Sequence, residues 1–358
     1  MISKEKVLEA LGKVTEPDLK KDIVSLGLVS DIDIQENEIS FKVQVHNPAM
    51  HSRKRMEEAC AFAIERAFGK EVVAKPLVEG LPKQREPEQR ATLPGVKNII
   101  AVASGKGGVG KSTIAVNLAA GLAKQGFKVG FIDADIYGPS APLMFDMVND
   151  KPTSIDIDGR NYIKPIENYG VKVLSIGFFA DANQAVVWRG PMASKALNQM
   201  LNDVYWGELD YMIIDLPPGT GDIHLSLVQF APLTGAIIVS TPQEIALADA
   251  RKGVGMFKIE SINVPVLGMV ENMAYFTPDE LPDKKYYLFG KEGTKRLAEE
   301  MNVPLLGEIP IVESIRESGD VGRPAVLQED TVSSRAMEEM VKHVVARINE
   351  NKKEEALT

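Results

Sequence analysis

Three features of this 358-residue chain predict an α/β protein in which a mostly parallel sheet carries helices on both faces and a small α/β domain precedes it. From residue 98 onward, short apolar runs alternate with longer helical patterns, as in sheets whose strands are joined by crossover helices. The stretch Asn98 to Thr113, NIIAVASGKGGVGKST, passes from an apolar run through a glycine-rich turn into an uninterrupted helical pattern. Residues 80–97, GLPKQREPEQRATLPGVK, are rich in charge and proline (Pro82, Pro87 and Pro94), the composition of a linker. The expected organisation is a small domain at 1–79, a linker at 80–97, a large domain at 98–350 and a flexible tail at 351–358.

In the small domain Ile2, Val7, Leu8 and Leu11 share one helical face, and Glu16-Pro17-Asp18 ends that helix. Ile23-Val24 and Leu26–Val29 lead into an alternating strand at Asp31–Ile34. Glu36-Asn37 is a turn, and Ile39, Phe41, Val43 and Val45 alternate along the returning strand. Residues 51–68 form a helix whose apolar stripe is Met56, Cys60, Ala63, Ile64 and Ala67. On that stripe Cys60 reads as a small, buried, inert thiol. His46 and His51, five apart in a loop, read as solvated residues rather than a metal site.

The large domain opens on a strand at 99–103 and a helix from Lys111 to about Lys124. Further strands are expected at 128–132, 171–176, 210–214, 235–240, 265–270 and 304–307, with a helix at 192–203. Right-handed crossovers place a ligand beyond the carboxyl ends of such strands. Gly105, Gly110, Lys111 and Ser112 fit the phosphate-binding loop G-x-x-x-x-G-K-[ST] between strand and helix, which specifies a P-loop NTPase. Glycines let backbone N–H groups turn inward around phosphates, and the helix N-terminus adds its positive end. The cradle is Gly105, Lys106, Gly107, Gly108, Val109, Gly110, Lys111, Ser112 and Thr113. Lys111 is expected to reach the β- and γ-phosphates of ATP, and the Ser112 hydroxyl to bind Mg²⁺.

Acidic residues fall where that chemistry needs them. Asp133 and Asp135, in FIDADIYGPS, follow the second strand and are placed to hold the Mg²⁺ water shell and orient the attacking water. Asp215 ends the apolar run Tyr211–Ile214, a Walker B pattern, with its carboxylate directed to Mg²⁺ or to Ser112. The turn that follows, Leu216-Pro217-Pro218-Gly219, resembles switch II of such NTPases, which implies that the Gly219 N–H senses the γ-phosphate.

The loop carries an extra lysine, Lys106, directly after its first glycine. KGGVGKST resembles the deviant Walker A box of the ParA/MinD/nitrogenase-iron-protein class of ATPases. That resemblance implies an ATP-dependent homodimer in which Lys106 crosses to the partner's phosphates. It also implies that Asp135 is the aspartate tied to hydrolysis, that Asp133 contributes to the metal shell, and that Asn272 of Glu271-Asn272-Met273 bonds the adenine edge. An amide suits that last task because it offers both a donor and an acceptor. WRGPM at 188–192 and STPQ at 240–243 match the Mrp/ApbC family, although a salt bridge and surface packing both stay open for Arg189. In the small domain EPD at 16–18 and DIVSLGLV at 22–29 resemble iron–sulfur assembly factors. The match spans about 98–330 and the small domain, so the chain resembles Mrp/ApbC-type iron–sulfur cluster carriers. This implies slow ATP hydrolysis, cluster transfer to client apoproteins, and a cytoplasmic homodimer.

The chain departs from that family at its thiols. The family's cysteine in the small-domain turn is missing from His46-Asn47-Pro48-Ala49-Met50-His51. The family's C-x-x-C after the ENM box is missing from residues 275–287, whose Asp279, Glu280 and Asp283 are hard donors that read as a solvated loop. With Cys60 the single cysteine, a dimer has two thiols and cannot supply four thiolates to a [4Fe–4S] cluster. An ATP-driven dimeric scaffold or regulatory switch without a cluster is the alternative reading. A DNA-partitioning ATPase is disfavoured by the net charge of −9 and by the small domain. No apolar run approaches the ~18 residues of a membrane span, and the N-terminus does not read as a signal peptide. Met337, Met340, Val341, Val344, Val345 and Ile348 recur at helical spacing as a core-facing stripe.

Overall fold

The structure, a computed structural model, describes residues 2–357 apart from 17–20, 36, 46–49, 81–92, 94, 136–137, 180–189, 222–223, 226–227, 229–230, 279–280 and 282–283. At residues 50–52, 80, 190–191, 193–194 and 355–357 it describes the backbone alone. The chain divides into two compact units, Met1–Pro87 and Glu88–Thr358.

In the first unit Ser3 caps helix α1 (Lys4–Leu11) by accepting from the Lys6 N–H, and Val7, Ala10 and Leu11 turn inward. Two short strands, β1 (Thr15–Glu16) and β2 (Lys21–Asp22), pair antiparallel. β3 (Val29–Gln35) and β4 (Glu38–Val45) form a hairpin, with Gln35 facing Glu38 beside the turn. The alternation of β4 buries Ile39, Phe41, Val43 and Val45 against α2 (Met50–Phe68), where Cys60 is fully buried. A third strand, β5 (Val73–Gly80), runs parallel to β4. From sequence β5 is not expected, because Lys75, Pro76 and Glu79 interrupt its apolar character. Pro76 is tolerated because β5 is an edge strand.

The second unit is built on one eight-stranded sheet. In chain order its elements are β6 (Ile99–Ala103), α3 (Lys111–Lys124), β7 (Val129–Asp133) and α4 (Ala141–Met144). A hairpin of β8 (Thr153–Ile157) and β9 (Arg160–Lys164) stands apart from the sheet. Next come β10 (Ile166–Asn168), β11 (Val171–Ser175), α5 (Gly190–Asn202), β12 (Tyr211–Asp215), β13 (Gly235–Ser240) and α6 (Glu244–Phe257). The last are β14 (Val266–Phe276), α7 (Gly293–Met301), β15 (Leu305–Ile311), α8 (Glu313–Asp320) and α9 (Val332–Leu357).

The sheet order is β10-β11-β7-β12-β6-β13-β14-β15, parallel at every pairing except β10 with β11. The central strand β6 is buried along its whole length. Its Ile100 and Val102 join one core with Ile114 and Leu118 of α3 and with Met337, Met340, Val341, Val344 and Ile348 of α9. Ile99, Ala101 and Ala103 point the other way, into a core with Leu197 of α5, Val254 of α6 and Leu297 of α7. The period-2 alternation of one strand thus builds both layers. The α9 stripe packs as its spacing predicts. Over the expected tail, α9 continues to Leu357. Lys352, Lys353, Glu354 and Ala356 are strong helix formers, and the Arg347–Glu350 pair at 3.3 Å supports the last turns.

Candidate phosphate-binding and hydrolysis site

Strand β6 ends at Ala103, and residues 104–110 turn the chain into α3. Gly108 and Gly110 adopt φ of 82° and 80°, the left-handed region where glycine is unstrained. Close approach excludes larger residues at two loop positions. A Cβ at Gly105 would lie 2.2 Å from the Asp249 carbonyl carbon of α6, and one at Gly110 would lie 2.1 Å from Asn272 Nδ2. Asn272 is buried, and its Nδ2 donates to the Val109 carbonyl at 2.8 Å. In this structure its amide braces the loop.

Lys111 opens α3 with only 5 % of its side chain exposed. Its Nζ donates to Asp215 Oδ1 and, at 3.2 Å, to Ser112 Oγ. Asp215, 1 % exposed, lies directly opposite Asp133 across the β12–β7 pairing. Asp133 Oδ2 accepts from the Ala141 N–H at 3.0 Å and the Ser175 hydroxyl at 2.9 Å, and its Oδ1 accepts from the Asp135 N–H at 3.2 Å. Lys111 thus pairs with Asp215, and its charge also favours the ionised form of Asp133 without a direct bond. Burial, reinforced by the facing Asp215 charge, pushes the Asp133 carboxyl up to about 7. Burial raises Asp215 as well, against the pull of Lys111.

Asp215 Oδ2 is buried without a hydrogen-bond partner among the described residues. An orphaned carboxylate oxygen beside the Ser112 hydroxyl is a hard-donor pair that fits Mg²⁺. Asp133 fits the same ion less directly, since both its oxygens already accept hydrogen bonds. Asp135 is half-buried, and its Oδ1 accepts from the Gly138 N–H at 3.3 Å. Lys106 is half-buried; among the described residues its ammonium has no ion-pair partner, while its carbonyl accepts from the Ser104 hydroxyl at 2.9 Å. The Gly219 N–H, expected at a γ-phosphate, donates here to the Ser104 carbonyl at 2.9 Å.

The structure thus brings Gly105–Ser112, Asp133, Asp135 and Asp215 to the carboxyl ends of β6, β7 and β12, with Asn272 reaching the loop from within β14. Cys60 lies in the other unit, where burial pushes its thiol up to about 12. His46, Arg189, Asp279, Glu280 and Asp283 lie outside the described residues, as does the His51 side chain. Two residues escape sequence reasoning: Ser175, the hydroxyl partner of Asp133, and His224, buried with Nε2 on the Pro217 carbonyl. Neither is marked by a local motif. Glu271, the first residue of the ENM box, is buried, and its Oε2 accepts from the Thr294 N–H at 2.5 Å.

Residues 95–347 match the family profile described as NUBPL iron-transfer P-loop NTPase, and residues 4–75 match that of an iron–sulfur cluster assembly protein. The chain is 42% identical to an iron–sulfur cluster carrier protein of Synechocystis, over 98% of this chain and 99% of that one. An iron–sulfur cluster carrier protein of Escherichia coli K12 is 42% identical over 90% of this chain and 85% of its own. A nucleotide-binding protein of Archaeoglobus fulgidus, solved in complex with ADP, is 39% identical with a TM-score of 0.59, covering 67% of this chain and 96% of that one. MinD of Pyrococcus furiosus shares the fold at 22% identity and a TM-score of 0.50, covering 70% of this chain and 98% of its own. With a phosphate loop, a buried lysine–carboxylate centre and these matches across both units, the chain belongs to the NUBPL family of iron-transfer P-loop NTPases.

Proposed function

We propose that this protein is an ATP-hydrolysing homodimer that binds iron–sulfur clusters and passes them to apoproteins. The observation that carries the ATPase reading is the buried Lys111–Asp215–Asp133 centre at the mouth of the phosphate loop. The cargo reading rests on relatives named as cluster carriers along nearly the whole chain.

In this reading the N–H groups of Gly105 to Thr113 wrap the phosphates, and Lys111 exchanges Asp215 for the β- and γ-oxygens. Ser112 Oγ and Asp215 Oδ2 hold Mg²⁺, which supplies charge stabilisation at the transferred phosphoryl group when bound. Asp133 supports that shell while tying β7 to β11 and α4. Asp135 orients the attacking water. Lys106 extends to the phosphates of the second copy in the closed dimer. Asn272, already beside the loop, presents its amide to the adenine edge. The partners are a second copy and iron–sulfur client proteins, in the cytoplasm, rather than nucleic acid or a membrane. No helix among the described residues is long and apolar enough to cross a membrane.

The cluster's thiolates have to come largely from outside this chain. Its single cysteine is buried and its thiol is held far from ionisation at neutral pH. A client protein or a small thiol such as glutathione supplies them. The same buried cysteine favours a second reading, an ATP-driven dimeric switch with no cluster. Anaerobic reconstitution with iron, sulfide and glutathione, with and without ATP, separates the two. About four irons and four sulfides per dimer, transferable to an apoprotein and unchanged in Cys60→Ala, support the carrier. Reconstitution that leaves the protein free of iron, alongside intact ATP turnover, supports the switch.

A further inference from the structure

The turn after Asp215 is poor in backbone donors. The Leu216 N–H bonds the Val102 carbonyl at 3.0 Å, but Pro217 and Pro218 have no N–H to give. The next donor is the Gly219 N–H, which bonds Ser104 O in the phosphate loop. Pro218 packs against the same loop: a Cβ at Gly107 would lie 3.9 Å from its Cβ. Between Leu216 and Gly219 the turn has one further polar anchor among the described residues. His224, 4 % exposed, places Nε2 against the Pro217 carbonyl. Its Cε1 lies 3.7 Å from where a Gly219 Cβ would be, so the imidazole backs the glycine whose N–H faces the loop.

The hydrogen on this ring has an assignable place. A carbonyl can only accept, so Nε2 carries the proton. Burial holds the imidazole below its ordinary value, and the Lys111 charge adds to that effect. The ring is therefore neutral at pH 7, donating from Nε2.

We propose that His224 is a positioning residue for ATP hydrolysis, which holds the Pro217–Gly219 turn against the phosphate loop by donating from Nε2 to the Pro217 carbonyl. Its role is to hold the turn in place while the Gly219 N–H bonds the Ser104 carbonyl of the loop, without touching nucleotide itself. Loss of this donor frees a turn that two prolines leave short of bonds, so the effect falls on turnover rather than on nucleotide affinity. The inference rests on the ATPase reading above.

The test uses the full chain with Mg²⁺ and ATP, comparing wild type, His224→Leu and His224→Gln. Gln is the rescuing variant because its Nε2 amide can donate near the position of the imidazole Nε2. His224→Leu is expected to lower kcat by roughly 10- to 100-fold with KM for ATP changing less than about threefold, and His224→Gln to recover most of kcat. Melting temperatures of both variants identify any loss of fold, and His224→Gln carries the decision if the leucine variant does not fold. A kcat at the wild-type value in folded His224→Leu overturns the inference. So does a His224→Gln that folds but turns over no faster than His224→Leu, or at under a hundredth of the wild-type rate where the leucine variant does not fold. A wild-type chain with no Mg²⁺-dependent turnover overturns the ATPase reading and this inference together.

Discussion

Replacing Lys111 by methionine would test the buried centre through stability, independently of any nucleotide. Methionine keeps most of the apolar stem and removes the ammonium that pairs with Asp215 and whose charge also reaches Asp133. Two carboxyl groups on paired strands then face each other out of water with no cation beside them. Removing one partner of a buried ion pair costs about 3–5 kcal/mol. For a domain of this size that lowers the melting temperature by roughly 6–20 °C. The assay is urea unfolding followed by tryptophan fluorescence, because both tryptophans, Trp188 and Trp206, lie in the large unit. The sign of the pH dependence follows from the same geometry. Without Lys111 the second carboxylate also binds a proton on acidification, which recovers about 1.4 kcal/mol per pH unit. The deficit measured at pH 7 should therefore shrink by about 2–3 kcal/mol at pH 5, and Asp215→Asn in the same background should restore most of it. A deficit under about 1 kcal/mol, or one that is equal at pH 7 and pH 5, would refute the buried-charge account.

Other outcomes follow from the same site. Lys106→Ala should lower kcat on the order of 10³-fold while leaving ATP binding by the monomer nearly intact, and an unchanged rate removes the trans role of Lys106. The folded Asp133 carboxyl sits near 7, above its unfolded value, so the Mg²⁺-free fold loses stability as pH rises from about 4 to about 7. Mg²⁺ favours the ionised pair, so its binding should release more protons at pH 6 than at pH 8; calorimetry in buffers of different ionisation enthalpy reads this directly. Gly110→Ala should abolish nucleotide binding, because the left-handed φ and the Asn272 amide at 2.1 Å leave no room for a Cβ; near-normal affinity for a fluorescent ADP analogue would contradict this.

What was legible in the sequence is what local chemistry writes locally. The glycines, Lys111 and Ser112 lie within one strand–turn–helix, and Asp133 and Asp215 terminate buried strands whose apolar runs are unmistakable. Their facing across β7 and β12 is a matter of register, set by a crossover that no short window contains. Ser175 reaches Asp133 across the next pairing, and His224 meets a backbone carbonyl, so neither leaves a spacing signature. One missed element did carry a signal. Asp158-Gly159, with φ of 53° and 81°, is the two-residue turn that joins β8 to β9, flanked by alternating apolar residues. β5 carried none, because its place on an edge tolerates Pro76 and charge. Residues 351–357 read as a charged tail, yet lysine, glutamate and alanine also sustain helix, and α9 runs through them.

The central claim is that this buried centre hydrolyses ATP. Phosphate release by the full chain, with ATP and with either Mg²⁺ or excess EDTA, tests it most directly. The account predicts slow turnover that requires Mg²⁺ and is lost in an Asp135→Asn variant whose melting temperature matches wild type. Turnover at the wild-type rate in that variant, or no Mg²⁺-dependent release from wild type, would contradict it.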